Sequence, residues 1–246
     1  MSDNESSNKD PESAVQEKPF YRTIRSFVKR EGKLTVGQQN AIDELWQDYG
    51  VDVGDKANEG RIDFTELFGR EAPIIMEIGF GNGLSLAEMA LAAPETNFLG
   101  VEVHKPGVGS LLVQVNKHGL QNVRVCGEDA VELLKQIPEN SVDRLQVFFP
   151  DPWHKKRHHK RRLIKTAFVE EVVKRLRQGG HLHVATDWEN YAEHVMEVLQ
   201  ANADLQNLSE QADGFSAKPD YRPETKYERR GLDLGHGVWD LVFAKK

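Results

Sequence analysis

The sequence predicts an α/β fold in which a mainly parallel sheet carries helices on both faces. From about residue 70 onward, short apolar segments typical of strands alternate with longer segments typical of helices. A glycine-rich turn follows the first of these apolar segments, as in many ligand-binding sheets of this kind. The expected strands are 73–78, 97–103, 123–126, 142–149, 181–186 and 237–244. The expected helices are 84–91, 107–118, 130–136, 168–177, closed by Gly179 and Gly180, and 191–199.

The chain divides into three segments by composition. Residues 1–19 are polar and acidic, which predicts a disordered tail. Residues 20–60 predict a basic arm, then a helix over 38–49 that Thr35 caps, with a loop over 50–62. Residues 61–246 predict the α/β domain, which is long enough to bury a substantial core.

Composition also narrows the cellular setting. No stretch approaches the roughly 20 apolar residues of a membrane helix, and the N-terminus lacks the apolar segment of a signal peptide. Cys126 is the single cysteine of the sequence, so no intrachain disulfide can form. We therefore expect a cytoplasmic protein without membrane contact, and a monomer, because no heptad pattern or apolar seam is evident.

The charge is unevenly distributed along the chain. A formal net charge of −7 argues against nucleic-acid binding, but residues 154–165 contain seven Lys/Arg and no acid. Residues 22–33 carry five more Lys/Arg and one Glu. Such a run is usually a solvated helix face. Here the absence of pairing acids and the nearby sheet edge favour contact with phosphates.

The glycine-rich turn contains Gly79, Gly81 and Gly83 and follows Glu77. It is either an ordinary tight turn or a place where the backbone approaches a ligand closely. In a dinucleotide-binding fingerprint the third glycine would come one residue later. A carboxylate at Glu77 would repel a pyrophosphate and would suit a cationic group, such as the amino group of a methionine moiety.

Acidic residues follow the next two strands of the predicted sheet. Glu102 lies where an acid commonly bonds ribose hydroxyls. Asp129 follows the third strand, where it can accept from an adenine amino group, and the adjacent Glu128 can substitute for it. Each acid alone resembles a solvated loop residue. Together with Glu77 they predict a cofactor crevice at the carboxyl edge of the sheet.

The fourth strand ends in the PDPW turn, residues 150–153. Two prolines restrict the backbone on either side of Asp151 and hold this acid and Trp153 at the edge of the sheet. The alternative is a rigid turn around a core tryptophan. Trp153 is equally suited to stacking on a base and to packing.

Five motifs carry a resemblance to a known family. They are PDPWHKKRHHKRR (150–162), EIGFGNG (77–83), GVEVH (100–104), ATDW (185–188) and TKYERRG (225–231). The chain, from about residue 22 to its C-terminus, resembles the bacterial tRNA (guanine-N7-)-methyltransferases. The resemblance implies a class I S-adenosylmethionine-dependent methyltransferase fold, Rossmann-like, with a seven-stranded sheet. It also implies methyl transfer from S-adenosylmethionine to N7 of the variable-loop guanine (position 46) of tRNA.

The resemblance also implies roles for particular residues, all of which have the family's residue type here. The cofactor-binding set is Glu77, Gly79, Gly81, Gly83, Glu102, Asp129 and Asp151, with Asp151 as the catalytic residue. The substrate-binding set is Lys155, Asp187, Thr225, Lys226, Tyr227 and Glu228. The RNA-binding set is Arg157, His158, His159, Lys160, Arg161 and Arg162. We expect no metal, because the histidines between His154 and His236 lack ligand spacing and the chemistry needs none.

The chemistry of the implied reaction limits the role of Asp151. Guanine N7 carries a lone pair and no proton, so its attack needs no base. We predict that Asp151 accepts hydrogen bonds from the guanine N1–H and N2–H₂ and that its charge offsets the methylated ring, with Asp187 as a second acceptor. The loop over 218–230 is either a solvated connector or a lid on the substrate.

Three other functions fit parts of the sequence. A small-molecule methyltransferase would explain the glycines and acids but leave the basic run without a role. An RNA-binding module without activity would leave the crevice unexplained. A nicotinamide-dependent oxidoreductase disagrees with the glycine spacing.

Overall fold

A computed structural model describes residues 32–54, 62–225, 228–229 and 237–246 of the chain. The strands of this part are β1 (Gly50–Val51), β2 (Ile74–Ile78), β3 (Asn97–Val101), β4 (Val123–Cys126), β5 (Val142–Phe148), β6 (Leu176–Thr186), β7 (Leu205–Asn207) and β8 (Trp239–Lys245). The helices are α1 (Val36–Tyr49), α2 (Phe64–Phe68), α3 (Leu84–Ala92), α4 (Lys105–His118), α5 (Ala130–Gln136), α6 (Thr166–Arg175) and α7 (Glu189–Gln200), with a 3₁₀ helix over Lys156–Arg161.

The strands form one sheet in the order β1-β4-β3-β2-β5-β6-β8-β7. Every pair is parallel except those of β8, which runs antiparallel to β6 and β7. This confirms the predicted α/β fold with a mainly parallel sheet. The described part has eight strands rather than seven, because Gly50–Val51 pairs with β4 in a segment expected to be a loop.

Helices cover both faces of the sheet, as predicted. All five residues of β2 and of β3 are buried, which is the pattern of a strand packed on two sides. One core contains buried residues of α5, α6 and α7, and the other contains those of α1, α3 and α4. The sheet therefore presents only its edges and the ends of its strands to ligands.

The predicted helix ends are largely confirmed. Thr35 caps α1 through a capping box, in which its hydroxyl accepts from the Gln38 N–H. The end of α6 differs, because the helix stops at Arg175 and β6 begins at once. Gly179 has a φ of 72° and lies within β6, where the pairing with β5 shifts register, so it marks an irregularity of the strand rather than a helix end.

The helix of the predicted N-terminal segment packs on the α/β domain. Gln38 Nε2 donates to Ser110 Oγ of α4 at 2.8 Å, and Ala41 belongs to the same core as α4. The predicted acidic tail, the first part of the predicted arm (20–31 of 20–34) and the boundary at residue 60 lie outside the described residues. None of the helices in the described ranges is long and apolar enough to cross a membrane.

Candidate active site

A cleft opens at the carboxyl ends of β2, β3, β4 and β5. Strand order reverses here, since the chain runs from β2 toward β3 on one side and later places β5 on the other. The cleft encloses about 830 Å³ when its open mouth is included. Its lining contains Ile78, Gly79, Val101, Glu102, Val103, Glu128, Asp129, Ala130, Val147, Phe148, Phe149, Pro150, Asp151 and Leu163.

The glycine turn connects β2 to α3 with three left-handed residues. Gly79, Gly81 and Gly83 have φ values of 79°, 62° and 73°, which favour glycine. A Cβ on Gly79 would meet nothing within 4 Å, so open cleft space lies directly against its backbone. A Cβ on Gly83 would lie 2.6 Å from the Leu111 Cβ, so this glycine allows close packing of α4. Only the first of the three glycines lines the cleft.

Two of the predicted acids line the cleft in fixed orientations. Glu102 accepts from the Gly81 N–H at 3.0 Å through Oε2 and from the His104 N–H at 2.9 Å through Oε1. Asp129 caps α5 and accepts from the Val131 N–H at 3.0 Å. Each carboxylate keeps lone pairs for hydroxyl or amino groups of a ligand.

Glu77 occupies a different environment. Its side chain is 3% exposed, does not line the cleft, and accepts from Gln146 Nε2 at 2.9 Å. Gln146 also approaches Met89 Sδ of α3, so the pair lies in the core on the α3 side. Burial raises the pKa of Glu77 to about 7, against the lowering effect of the Gln146 hydrogen bond. Its predicted cofactor contact stays a prediction.

The PDPW turn places Asp151 at the mouth of the cleft with an exposed side chain. Two non-glycine residues of this region are left-handed, Phe149 with a φ of 50° and Trp153 with a φ of 49°. Such conformations cost about 1–3 kcal/mol each and cluster at functional sites. The Phe149 N–H donates to the Ala185 carbonyl at 2.8 Å, which ties the start of the turn to β6.

Trp153 is engaged by the protein. The Arg161 guanidinium lies 4.2 Å from the centre of its ring, and the His158 ring contacts it edge-on at 6.0 Å. Its Nε1 is buried and has no hydrogen-bond partner within the described ranges. Of the two roles proposed for this side chain, the structure favours packing.

The basic run forms a 3₁₀ helix beside the cleft mouth. Arg157 and Lys160 are exposed, and no acid of the described residues forms an ion pair with either. The pKa of His158 is lowered by desolvation and then by the neighbouring cations, led by Arg157. His159 is half-buried. The free cations of this helix suit a polyanion.

Arg162 differs from the prediction that it contacts RNA. It is 2% exposed, and its Nε donates to the Pro152 carbonyl at 3.0 Å. Its Nη2 donates to Asn190 Oδ1 at 2.8 Å, and its Cζ lies 4.8 Å from the Tyr191 ring centre. These partners bury the guanidinium, so Arg162 supports the PDPW turn and is not presented to RNA.

Glu228 also lies elsewhere than expected for a substrate contact. It is 3% exposed and receives two hydrogen bonds from Arg222, at 2.7 and 2.8 Å. Its own N–H donates to Thr225 Oγ1 at 3.0 Å. The carboxylate is therefore directed at Arg222 rather than at the cleft. Lys226 and Tyr227, of the same predicted set, lie outside the described residues.

Neither Lys155 nor Asp187 is among the residues that line the cleft. Lys155 is exposed at the start of the 3₁₀ helix. Asp187 is half-buried directly after β6, the strand next to the one that leads to Asp151. Trp188 is 39% exposed and meets His154 edge-on at 4.1 Å, which leaves indole surface at the same edge.

Sequence reasoning missed two parts of this region. One is the apolar wall of the cleft, which includes Leu163 and also Phe148, for which the hydrophobic end of a strand was the signal. The other is a buried polar network around Arg222 and Asp240. Asp240 within the apolar strand segment 238–244 was its one local signal.

The cleft fits S-adenosylmethionine by the chemistry of its residues. Glu102 and Asp129 are acceptors for ribose hydroxyls and an adenine amino group, and apolar strand ends provide walls for the base. The open space against Gly79 allows a ligand to lie on the backbone. Among the described residues, no group of three or more His, Cys, Asp or Glu is arranged to hold a metal ion.

Fold and cleft together define a class I methyltransferase. Residues 71–241 match a family model described as "Putative methyltransferase". The solved 16S rRNA methyltransferase KamB aligns with a TM-score of 0.50 at 17% identity, over 74% of this chain and 92% of its own, and shows the shared fold.

Curated relatives narrow the class. A protein of Alcanivorax borkumensis named tRNA (guanine-N(7)-)-methyltransferase is 52% identical over 97% of each chain. One of Psychromonas ingrahamii with the same name is 53% identical over 100% of this chain and 99% of its own. The chain belongs to the tRNA (guanine-N(7)-)-methyltransferase family.

Proposed function

We propose that this protein transfers a methyl group from S-adenosylmethionine to N7 of the variable-loop guanine of tRNA. One observation carries the proposal: a single cleft brings Gly79, Glu102 and Asp129 together with Asp151 at its mouth, and the cationic 3₁₀ helix starts five residues after Asp151. The names of the curated relatives support the choice of tRNA and of guanine N7.

The cofactor half of the site consists of the glycine turn and the two oriented acids. Glu102 is held by two backbone N–H groups, so its remaining lone pairs point into the cleft toward hydroxyl groups. Asp129 serves the adenine end in the same way. Bound S-adenosylmethionine supplies an electrophilic methyl group on a sulfonium, which the guanine N7 lone pair accepts without loss of a proton.

Asp151 acts on the guanine. Its exposed carboxylate at the cleft mouth is available to accept from the N1–H and N2–H₂ of the base. Its negative charge also offsets the positive charge that the ring gains on methylation. Asp187, at the end of the neighbouring strand, is a second acceptor for the same edge of the base. Positioning of the two reactants supplies much of the remaining acceleration.

The 3₁₀ helix binds the phosphate backbone of the RNA. Arg157 and Lys160 are exposed cations without acidic partners in the described part of the chain, and Lys155 starts the helix next to the PDPW turn. Phosphate contacts position an RNA but carry little sequence information. The choice of guanine therefore depends on the groups around Asp151.

The test is methyl transfer from labelled S-adenosylmethionine to unmodified tRNA, followed by digestion and identification of the nucleoside. We expect N7-methylguanosine with the wild type and with Asp204→Ala, an exposed acid at the far sheet edge. We expect its loss with Asp151→Ala. Label in another nucleoside would overturn the target. No transfer to any RNA with intact cofactor binding would favour a small-molecule substrate. We also propose that the protein is a cytoplasmic monomer. Gel filtration measures its oligomeric state.

A further inference from the structure

We propose that Arg222 is a positioning residue that anchors a segment, residues 221–225 and 228–229, beside the wall of the cleft and so fixes Thr225 for binding of the RNA. The inference rests on the proposed function, because it concerns the substrate side of the same site. It assigns Glu228 a role through Arg222 rather than through contact with the substrate.

The anchor is a pair of two-pronged ion pairs. Arg222 is 2% exposed and donates to Asp240 through Nε at 2.7 Å and Nη2 at 2.8 Å. It donates to Glu228 through Nη1 at 2.7 Å and Nη2 at 2.8 Å. The planar guanidinium matches a carboxylate on each side, which fixes geometry as well as charge. Asp240 belongs to β8, so the segment is bound to the sheet.

The anchor lies against the wall of the cleft. The Arg222 Cζ is 5.9 Å from the ring centre of Phe148 and 5.6 Å from that of Phe149. Both phenylalanines line the cleft, and Phe149 comes two residues before Asp151. A displacement of Arg222 would therefore shift both the segment and the residues that lead into the PDPW turn.

A second layer holds the anchor in place. His183 Nε2 lies 2.7 Å from Asp240 Oδ1, and Tyr221 Oη lies 3.0 Å from His183 Nδ1. Burial lowers the pKa of His183, which favours the neutral ring, with its N–H directed at Asp240 and the Tyr221 hydroxyl donating to Nδ1. The Arg144 guanidinium lies 3.6 Å from the ring centre of Tyr221. The segment is thus attached through two consecutive residues.

The anchor explains how Thr225 is oriented. Thr225 Oγ1 accepts from the Glu228 N–H, and the Thr225 N–H approaches Glu228 Oε2 at 3.3 Å. Because Arg222 holds Glu228, it also fixes the position of the local turn that contains Thr225. Loss of Glu228 leaves Arg222 paired with Asp240 alone and removes the carboxylate that approaches the Thr225 N–H. The expected response is release of the turn around Thr225 from the anchor.

The experiment compares Glu228→Ala and Glu228→Gln with Glu224→Ala, an acid of the same segment whose partner is at the surface. We expect Glu228→Ala to raise KM for tRNA by about tenfold or more, with cofactor Kd unchanged within about twofold. Gln keeps an oxygen that accepts from Arg222, so KM for tRNA in Glu228→Gln should lie much closer to the wild-type value than in Glu228→Ala. Glu224→Ala should match the wild type. Amide hydrogen exchange over 218–229 should accelerate in Glu228→Ala alone.

A double-mutant cycle with Arg222→Lys separates anchoring from direct contact. If Glu228 acts through Arg222, the double variant should be little worse than Glu228→Ala. Additive effects on KM would show an independent substrate contact and overturn the proposal, as would unchanged exchange over 218–229. If Glu228→Ala does not fold, Arg222→Lys decides: it keeps the charge but loses the two-pronged geometry, so it should raise KM for tRNA and accelerate exchange over 218–229, and wild-type values of both would overturn the proposal. Absence of tRNA methylation by the wild type would instead overturn the proposed function.

Discussion

Replacement of Glu77 by Gln tests the ionisation of a buried carboxyl. The side chain is 3% exposed, and burial raises its pKa from 4.5 to about 7. At 1.36 kcal/mol per pKa unit, full ionisation of this group is about 3 kcal/mol less favourable in the folded chain than in the unfolded one. Glutamine has nearly the same shape and still accepts from Gln146, but it carries no charge at any pH.

The sign of the effect follows from proton binding. Between pH 4.5 and 7 the folded chain keeps a proton on Glu77 that the unfolded chain has lost. The stability that this group contributes is therefore complete below pH 4.5 and is lost as the pH rises through 7. From pH 5 to pH 8 the loss is about 2.5 kcal/mol. The Glu77→Gln variant has no carboxyl group at this position and should not show this loss of stability.

The measurement is urea unfolding of the ligand-free protein at pH 5, 6, 7 and 8. The difference in unfolding free energy between Glu77→Gln and the wild type should grow by about 2.5 kcal/mol toward pH 8. Glu88→Gln, an exposed acid on α3, should show no such trend. A difference for Glu77→Gln that stays constant across this range would refute the reasoning about burial.

The same variant tests the predicted cofactor contact. A cation beside Glu77 would favour its charged form, so cofactor binding should release a proton near pH 7 in the wild type and none in Glu77→Gln. Calorimetry in buffers of different ionisation enthalpy measures this proton. Equal cofactor affinity and equal proton release in both proteins would remove Glu77 from the cofactor-binding set.

Three further predictions concern other parts of the chain. Lys160→Ala should weaken tRNA binding and reduce the slope of log affinity against log salt by about 1. Arg162→Ala should leave that slope unchanged. It should instead lower the unfolding free energy, measured by urea titration, by about 2–3 kcal/mol. Gly107→Ala should lower the unfolding free energy by about 1–3 kcal/mol and weaken cofactor binding, because its Cβ would lie 2.1 Å from the Gly81 carbonyl oxygen. Thr35→Ala should lower the unfolding free energy by about 1 kcal/mol, since it removes the cap of α1.

Local signals predicted most of the fold. The bounds of α5 and β4 agree with those predicted, because Asp129 and Pro138 flank α5, and Asn122 and Gly127 flank β4. β1 has two residues and exists only through its pairing with β4, so no local pattern reveals it. β7 is similarly short and depends on β8.

The candidate site was predictable where the fold itself brings residues together. Glu102, Asp129 and Asp151 each follow a parallel strand, so their convergence at one edge follows from the alternating pattern. Arg162 and Glu228 differ, because their burial depends on Asn190, which lies far along the chain, and on Arg222, which is itself held by Asp240 of an apolar strand. A charge in a basic run or a family motif does not reveal that it is already paired inside the protein.

Strain around Asp151 needs support from the surrounding structure. Phe149 and Trp153 both have positive φ, and such residues persist only where their environment over-determines them. The Phe149 N–H is bonded to β6, and two prolines within the PDPW turn restrict the backbone between them. The turn is therefore held at a cost in free energy, as expected for a residue whose orientation matters to function.

Three arginines supply much of that support. Arg161 covers the Trp153 ring, Arg162 donates to the Pro152 carbonyl, and Arg222 packs near Phe149. Cations beside this turn thus fall into two groups, since some hold its backbone and others remain exposed. Because the supporting arginines are the less exposed ones, their loss should change the protein's stability or orientation before it changes its salt dependence. The net charge of −7 therefore does not argue against the proposed RNA binding, for which the few exposed cations of the 3₁₀ helix are the proposed contacts.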